Sequence, residues 1–266
     1  MLKDITLGQY YHTESLLHRM DPRVKLLGIV AIIIGIFAGN NLIGGLITGS
    51  FVMILIAMSR VPLRFMLKGM KAIVIFLIIT VIFNLFLTPG TVIWSFMRFK
   101  ITMEGVRLAI QMAFRLIFLI LASGLLTLTT TPNNLTDGLE SLLGGLKKFR
   151  VPVHEVAMMM SIALRFIPIL MDETDKIMKA QMARGADFES GGILKRAKSM
   201  VPLLVPLFIS AFRRANDLAM AMEARCYRGG VGRTKMKPLI YKKRDYISLC
   251  VLALYLTACI LAGIYW

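Results

Sequence analysis

The chain has 266 residues, 57% of them apolar, and a mean hydropathy of +0.71; soluble domains carry about 45–50% apolar residues, so a soluble globular domain is excluded and a membrane protein is indicated. Its 32 Lys and Arg against 15 Asp and Glu give a formal charge of +17, which must lie in water or against something acidic. Apolar spans and basic surface therefore have to be segregated along the sequence.

Residues 1 to 23 are polar and lack the apolar core and small-residue cleavage site of a signal peptide. From Leu26 to Ser59 the chain carries no charge over 34 residues, too long for one span of about 20 residues and slightly short for two. The stretch predicts two helices, one of them short or tilted. Either Gly39-Asn40-Asn41 or Gly44-Gly45 supplies the turn, because Gly and Asn tolerate left-handed backbone. A third span is expected from Ala72 to Gly90 and a fourth from about Leu108 to Thr130, joined by a loop over 91 to 107. The last apolar run, Tyr246 to Trp266, ends on aromatics that favour the membrane–water boundary. The expected count is five spans.

Between Pro132 and Arg244 the sequence is too polar for spans and too apolar for a loop. A short helix over about 134 to 143 is followed by the helix-stop pair Gly144-Gly145. From Val153 to Arg184 the positions Val156, Met160, Ala163, Ile167, Leu170, Thr174, Ile177 and Gln181 keep helical spacing and are mostly apolar, whereas Arg165, Asp172, Asp175 and Lys179 fall elsewhere. This is the pattern of a long amphipathic helix, roughly 45 Å from end to end, which Pro168 is expected to kink. After Ser190-Gly191-Gly192 a second such helix is expected from about Pro202 to Arg225. In it Ala211, Ala215 and Ala219 form a small-residue strip that permits close helix crossing. Arg228-Gly229-Gly230-Val231-Gly232-Arg233 then opens a basic connector into the last span.

The cations set an orientation. They concentrate in the amino-terminal segment (Lys3, Arg19, Arg23, Lys25), in the loop from 60 to 71 (Arg60, Arg64, Lys68, Lys71) and in 131 to 244, while 91 to 107 holds only Arg98, Lys100 and Arg107. The positive-inside rule places the basic segments in the cytoplasm, the amino terminus inside and the carboxyl terminus outside the cell membrane. The expected fold is an all-α membrane protein. Residues 1–131 form an amino-terminal membrane region of about four spans, 132–244 a cytoplasmic-side helical region, and 245–266 a final transmembrane helix.

Catalytic chemistry has no foothold in the sequence. Cys226, Cys250 and Cys259 include no CxxC pair, which indicates neither a disulfide framework nor zinc, and the two in the last span read as small apolar fillers. His12, His18 and His154 are scattered, and HExxH, GxSxG and the phosphate-cradling GxxxxGK[ST] are absent. No enzyme activity, cofactor, metal or nucleic-acid partner is expected. A stand-alone secondary transporter, the alternative reading, would need polar groups at mid-membrane, for which Arg115 is the clear candidate. An intramembrane enzyme would need paired carboxylates or His within the spans, and none is found.

The two long helices end alike. "QMARGADF" (181–188) closes the first on Ala183-Arg184-Gly185, and "AMEARCYRG" (221–229) closes the second on Ala224-Arg225-Cys226. A lone Arg in a last turn is accounted for by the helix dipole, with a following Gly as left-handed cap. Cys226, however, cannot act as such a cap without cost, and two Ala-Arg ends on consecutive basic helices look like two plugs for two sockets. Six Met (158, 159, 160, 171, 178, 182) line the first of these helices. They serve either as core filler or as an adaptable surface for different partners.

"GQYYHTESLLHRMDPRVKLL" (8–27), "LRFIPIL" (164–170), "AQMARGADF" (180–188) and "AFRRANDLAMAMEARCYRGG" (211–230) together resemble the transmembrane T component of energy-coupling factor (ECF) transporters, over essentially the whole chain. The resemblance implies a coupling subunit whose three coupling helices form a cytoplasmic-side platform. Its two motifs would dock into grooves of two ABC-type ATPases, and a separate small membrane subunit, one or several interchangeable, would bind a vitamin or a transition-metal ion. Carried over by position, the coupling residues are Ala183, Arg184, Gly185, Ala224, Arg225 and Cys226. Cys226 departs from the family's usual Gly and leaves the adjacent Arg intact. The T component itself would bind no nucleotide.

Overall fold

A computed structural model describes residues 10–39, 41–96, 99–188, 192–230, 236 and 238–265. Lys3, Gly8, Gln9, Asn40, Arg98, Ser190, Gly191, Val231, Gly232, Arg233 and Trp266, which figure in the expectations above, lie outside the described residues. The chain divides into two compact units, one formed by Gly8–Leu142 and Pro238–Trp266, the other containing Leu143–Lys237.

In the first unit the long uncharged stretch becomes α1 (Pro22–Ala38) and α2 (Leu42–Ser59). The break falls at Gly39 and Asn41, the C-cap of one helix and the N-cap of the next, while Gly44-Gly45 lies inside α2. The helix α3 (Leu63–Leu87) begins nine residues before the expected span. The expected loop is in fact an antiparallel hairpin of β1 (Val92–Phe96) and β2 (Phe99–Thr102), built from the β-branched and aromatic residues that favour strands. Helix α4 (Met103–Thr129) then starts five residues early, because the Thr102 hydroxyl accepts from the Gly105 N–H as an N-cap. The short α5 (Pro132–Leu142) packs on α1, and α8 (Lys243–Tyr265) packs on α1 and α2.

The core of this unit gathers Ile32, Ile36, Val52, Ile56, Leu121, Leu125, Leu128 and Tyr255. Thr48, fully enclosed, lies 3.1 Å from the Tyr255 hydroxyl and 3.7 Å from Cys259 Sγ. The expected role of small filler thus fits Cys259, which is completely buried, whereas Cys250 is exposed.

In the second unit Leu143–Phe149 forms a 3₁₀ run that absorbs Gly144-Gly145, so the helical break comes later, at Arg150, whose φ is +60°. Helix α6 covers Val153–Ala183 with Pro168 inside it. Helix α7 covers Ile193–Ala224, nine residues longer at its start than expected, with Pro202 and Pro206 accommodated. By length and composition α4, α6 and α8 are long and apolar enough to cross a membrane, and apolar helices at Ile43–Ser59 and Val74–Leu87 are shorter. Helix α6, expected on the cytoplasmic side, thus has the length and hydropathy of a span, because its Met-rich first half carries few charges.

Candidate functional site

The tips of α6 and α7 are built the same way. At the first, Arg184 is the C-cap residue and Gly185 adopts φ +87°. The Ala186 N–H donates to the Gln181 carbonyl and the Gly185 N–H to the Met182 carbonyl, both at 3.0 Å. At the second, Arg225 is the C-cap and Cys226 adopts φ +54°. There the Tyr227 N–H donates to Met222 at 3.0 Å and the Cys226 N–H to Glu223 at 2.8 Å. In each case one six-residue and one four-residue closure satisfies carbonyls that the helix end leaves open. Cys226 thus stands in the left-handed cap position that the sequence marks as costly for it. It does cap, at the cost of about 1 kcal/mol that left-handed backbone imposes on a residue with a Cβ.

All six sequence-derived residues, Ala183, Arg184, Gly185, Ala224, Arg225 and Cys226, are exposed. Among the described residues neither tip guanidinium makes a side-chain hydrogen bond or ion pair.

The two helices cross at a polar contact that sequence reasoning missed. Glu173 of α6 accepts from the Ser210 hydroxyl and, at 2.6 Å, from Arg214 Nη2, both on α7. A second contact fixes the direction of packing: Gly230, just past the α7 tip, lies against His154 at the start of α6. The helices consequently run antiparallel and their tips point away from each other. Ten residues separate Glu173 from Ala183 and ten separate Arg214 from Ala224 (183 − 173 and 224 − 214). At about 1.5 Å per residue each tip stands roughly 15 Å from the crossing, which puts the tips up to about 30 Å apart.

Of the expected small-residue strip, Ala215 and Ala219 are exposed, so the contact with α6 runs through Ser210 and Arg214 instead. Met159, Met160 and Met182 are well exposed, while Met158, Met171 and Met178 are half-buried. Arg115 lines an open, mainly apolar cleft of about 630 Å³ between α2 and α4, with its guanidinium 4.9 Å from the centre of the Phe37 ring.

The motif at the start of α1 forms a second organised cluster, within the first unit. Asp21 caps α1, its carboxylate accepting from the Arg23 N–H at 2.9 Å, and its own N–H donates to the buried Asp245 at 3.0 Å. Asp245 also accepts from the Lys242 N–H at 2.8 Å. Arg23 donates to the Leu239 carbonyl and lies 4.5 Å over the Tyr241 ring. Lys25 Nζ donates to the Thr129 carbonyl at 2.9 Å and the Thr130 hydroxyl at 3.1 Å, where the negative end of the α4 dipole favours a cation. Pro22 sits tightly against Gly138 of α5, where an added Cβ would come 3.0 Å from the Pro22 Cβ.

Just upstream, His18 Nε2 lies 3.0 Å from the Tyr11 carbonyl and Nδ1 lies 2.7 Å from the Ser15 hydroxyl. Because a carbonyl only accepts, Nε2 carries the proton. Burial pushes the His18 pKa below its usual value, with Lys25 and His12 adding to the shift against the carbonyl bond.

Comparison with known proteins places these features in a family. Residues 13–237 match the family model CbiQ, described as cobalt transport protein. A protein of Ruminiclostridium cellulolyticum is 52% identical over 261 residues, covering 98% of both chains. One of Clostridium kluyveri is 53% identical over 271 residues, covering 100% of this chain and 99% of the relative. One of Bacillus subtilis is 48% identical over 257 residues, covering 95% and 97%. All three relatives are named energy-coupling factor transporter transmembrane protein EcfT.

Proposed function

The chain belongs to the CbiQ/EcfT family of transporter membrane components, and from that premise we propose that it is the coupling subunit of an ECF-type importer, joining two ABC-type ATPases to a separate small substrate-binding membrane subunit. The observation that carries the reading is the pair of matched tips. Two exposed arginines, each at the C-cap of a long helix with the same left-handed closure, project in opposite directions from one crossing. A separation of up to about 30 Å suits two partner copies better than one. Arginine suits the task because its planar, permanently charged fork grips carboxylates bidentately, each charge-assisted bond contributing about 1.5–3 kcal/mol.

In this mechanism ATP-driven closure of the ATPases moves the tips, and rigid helices carry the motion toward the membrane region. The exposed methionines offer a deformable surface on which the substrate-binding subunit docks, and several such subunits can share it. The imported solute is a vitamin or a transition-metal ion, recognised by that subunit. ATP is bound and hydrolysed by the partners.

The test is co-purification from membranes. The coupling subunit brings down two ATPases and one small membrane protein, whereas a stand-alone transporter comes alone and still transports. Orientation is part of the proposal: Cys226 lies in the cytoplasm and the carboxyl terminus outside. With Cys250 and Cys259 replaced, an impermeant thiol reagent should leave Cys226 unlabelled in intact cells and label it in inverted vesicles, because the thiol is exposed. Labelling in intact cells would reverse the topology.

A further inference from the structure

Beyond the amino terminus, the chain passes from the membrane unit to the unit bearing the tips at Leu142 and back at Pro238. Both passages are held by one short segment, through Asp21, Pro22, Arg23 and Lys25. On the outgoing side, Lys25 holds Thr129 and Thr130 at the end of α4, and Pro22 packs on Gly138 of α5. On the returning side, Arg23 holds the Leu239 carbonyl and the Tyr241 ring, and the Asp21 N–H is tied to Asp245 at the start of α8.

We propose that Asp21, Arg23 and Lys25 form a force-transmitting clasp: they lock the outgoing and returning connections of the coupling segment to α1, so that displacement of the tips reaches the membrane helices as one movement. This rests on the coupling reading above.

The chemistry of the cluster favours a mechanical role. Its bonds run to main-chain atoms at Thr129, Leu239, Lys242 and Asp21 itself, so the clasp grips the backbone of the connectors rather than only their side chains. Asp21 and Asp245 are buried at 8% and 2% exposure, each supplied with backbone donors. A carboxylate so enclosed and satisfied is a stiff joint, since any displacement strands a buried charge. Apolar packing alone would hold the same segments but would let them slide.

The experiment compares Lys25→Met, Arg23→Gln and the conservative Lys25→Arg in the assembled complex, at matched membrane abundance. Three quantities are read: ATPase co-purification, ATP hydrolysis and substrate uptake. Lys25→Met and Arg23→Gln are expected to keep co-purification and hydrolysis within about two-fold of the natural chain while uptake falls at least about ten-fold, and Lys25→Arg is expected to restore at least about half of it. Uptake that stays in natural proportion to hydrolysis in both variants overturns the clasp. So does loss of membrane abundance or of co-purification in both, because the residues would then hold the fold rather than transmit motion. A natural chain that recovers no ATPase defeats the coupling reading itself, a result distinct from any difference among the clasp variants.

Discussion

At the end of α6 the left-handed cap residue is Gly185, with φ +87°; at the end of α7 it is Cys226, with φ +54°. Both tips nevertheless close the same carbonyls with the same pair of bonds and set an arginine at the C-cap. The difference shows that the shape of the tip, not the identity of its third residue, is what the two helices share. Glycine reaches that shape freely, while cysteine reaches it because the following Tyr227 N–H and its own N–H are both bonded back to the helix. A comparison so controlled invites substitutions that treat the tips as a pair.

The largest effect is expected from the arginines. On the proposed coupling role, Arg184→Ala and Arg225→Ala each remove one charge-assisted anchor, and a loss of about 1.4–2.8 kcal/mol should weaken ATPase association roughly 10- to 100-fold. The double variant should be weaker than either, and Arg184→Glu weaker than Arg184→Ala through repulsion in an acidic groove. Lysine discriminates the roles, because it keeps the charge at the helix end but not the bidentate fork. Arg184→Lys should therefore impair association if the fork grips a partner. Co-purification and uptake at matched membrane abundance are the measurements. Natural values in the double variant would leave both residues as helix caps with no part in coupling.

A smaller effect is expected from Glu173, and it should fall on both tips alike. Glu173 with Ser210 and Arg214 pins the crossing about midway between the tips. The pair is partly exposed, Arg214 at 39% and Glu173 at 22% of the side chain, so solvent screening limits its contribution to about 1 kcal/mol or less. Glu173→Gln should lower ATPase association by no more than about five-fold, and by the same factor whether it is combined with Arg184→Ala or with Arg225→Ala. A factor confined to one combination would mean that the contact supports a single tip rather than their spacing.

Much of this arrangement was legible in the sequence, for identifiable reasons. The arginines of the tips could be found because each closes a helical periodicity, and the long helices because their apolar spacing runs unbroken across several turns. The hairpin over Val92–Thr102 was not found, since two strands of five and four residues carry too little periodicity to outweigh a loop reading. The extra turns of α7 were hidden by Pro202, which reads as a start signal but lies inside the helix. The Glu173–Arg214 contact joins residues 41 apart and the clasp joins residues more than 100 and more than 200 apart. No local pattern announces such pairs. The signature around Asp21 was visible as a motif, but what it binds is a property of the tertiary fold.

The smallest expected effect comes from exchanging the two cap residues, and it separates shape from chemistry at the tips. Cys226→Gly removes the Cβ penalty of left-handed backbone, worth about 1 kcal/mol, although the greater freedom of glycine in the unfolded chain returns part of it. The α7 end should therefore fray slightly less, with slower amide exchange at Cys226 and Tyr227 and no loss of ATPase association or uptake. Gly185→Cys places the same penalty on the α6 end, where open space surrounds the missing side chain, so the cost is backbone strain without a clash. Amide exchange at Gly185 and Ala186 should quicken by a factor of up to about five, equivalent to about 1 kcal/mol, with association little changed. The reciprocal chain, carrying both changes, should then assemble as the natural one does. Loss of uptake in Cys226→Gly at normal abundance, with association intact, would show that the thiol at the second tip does something the backbone does not, and the two tips would cease to be equivalent.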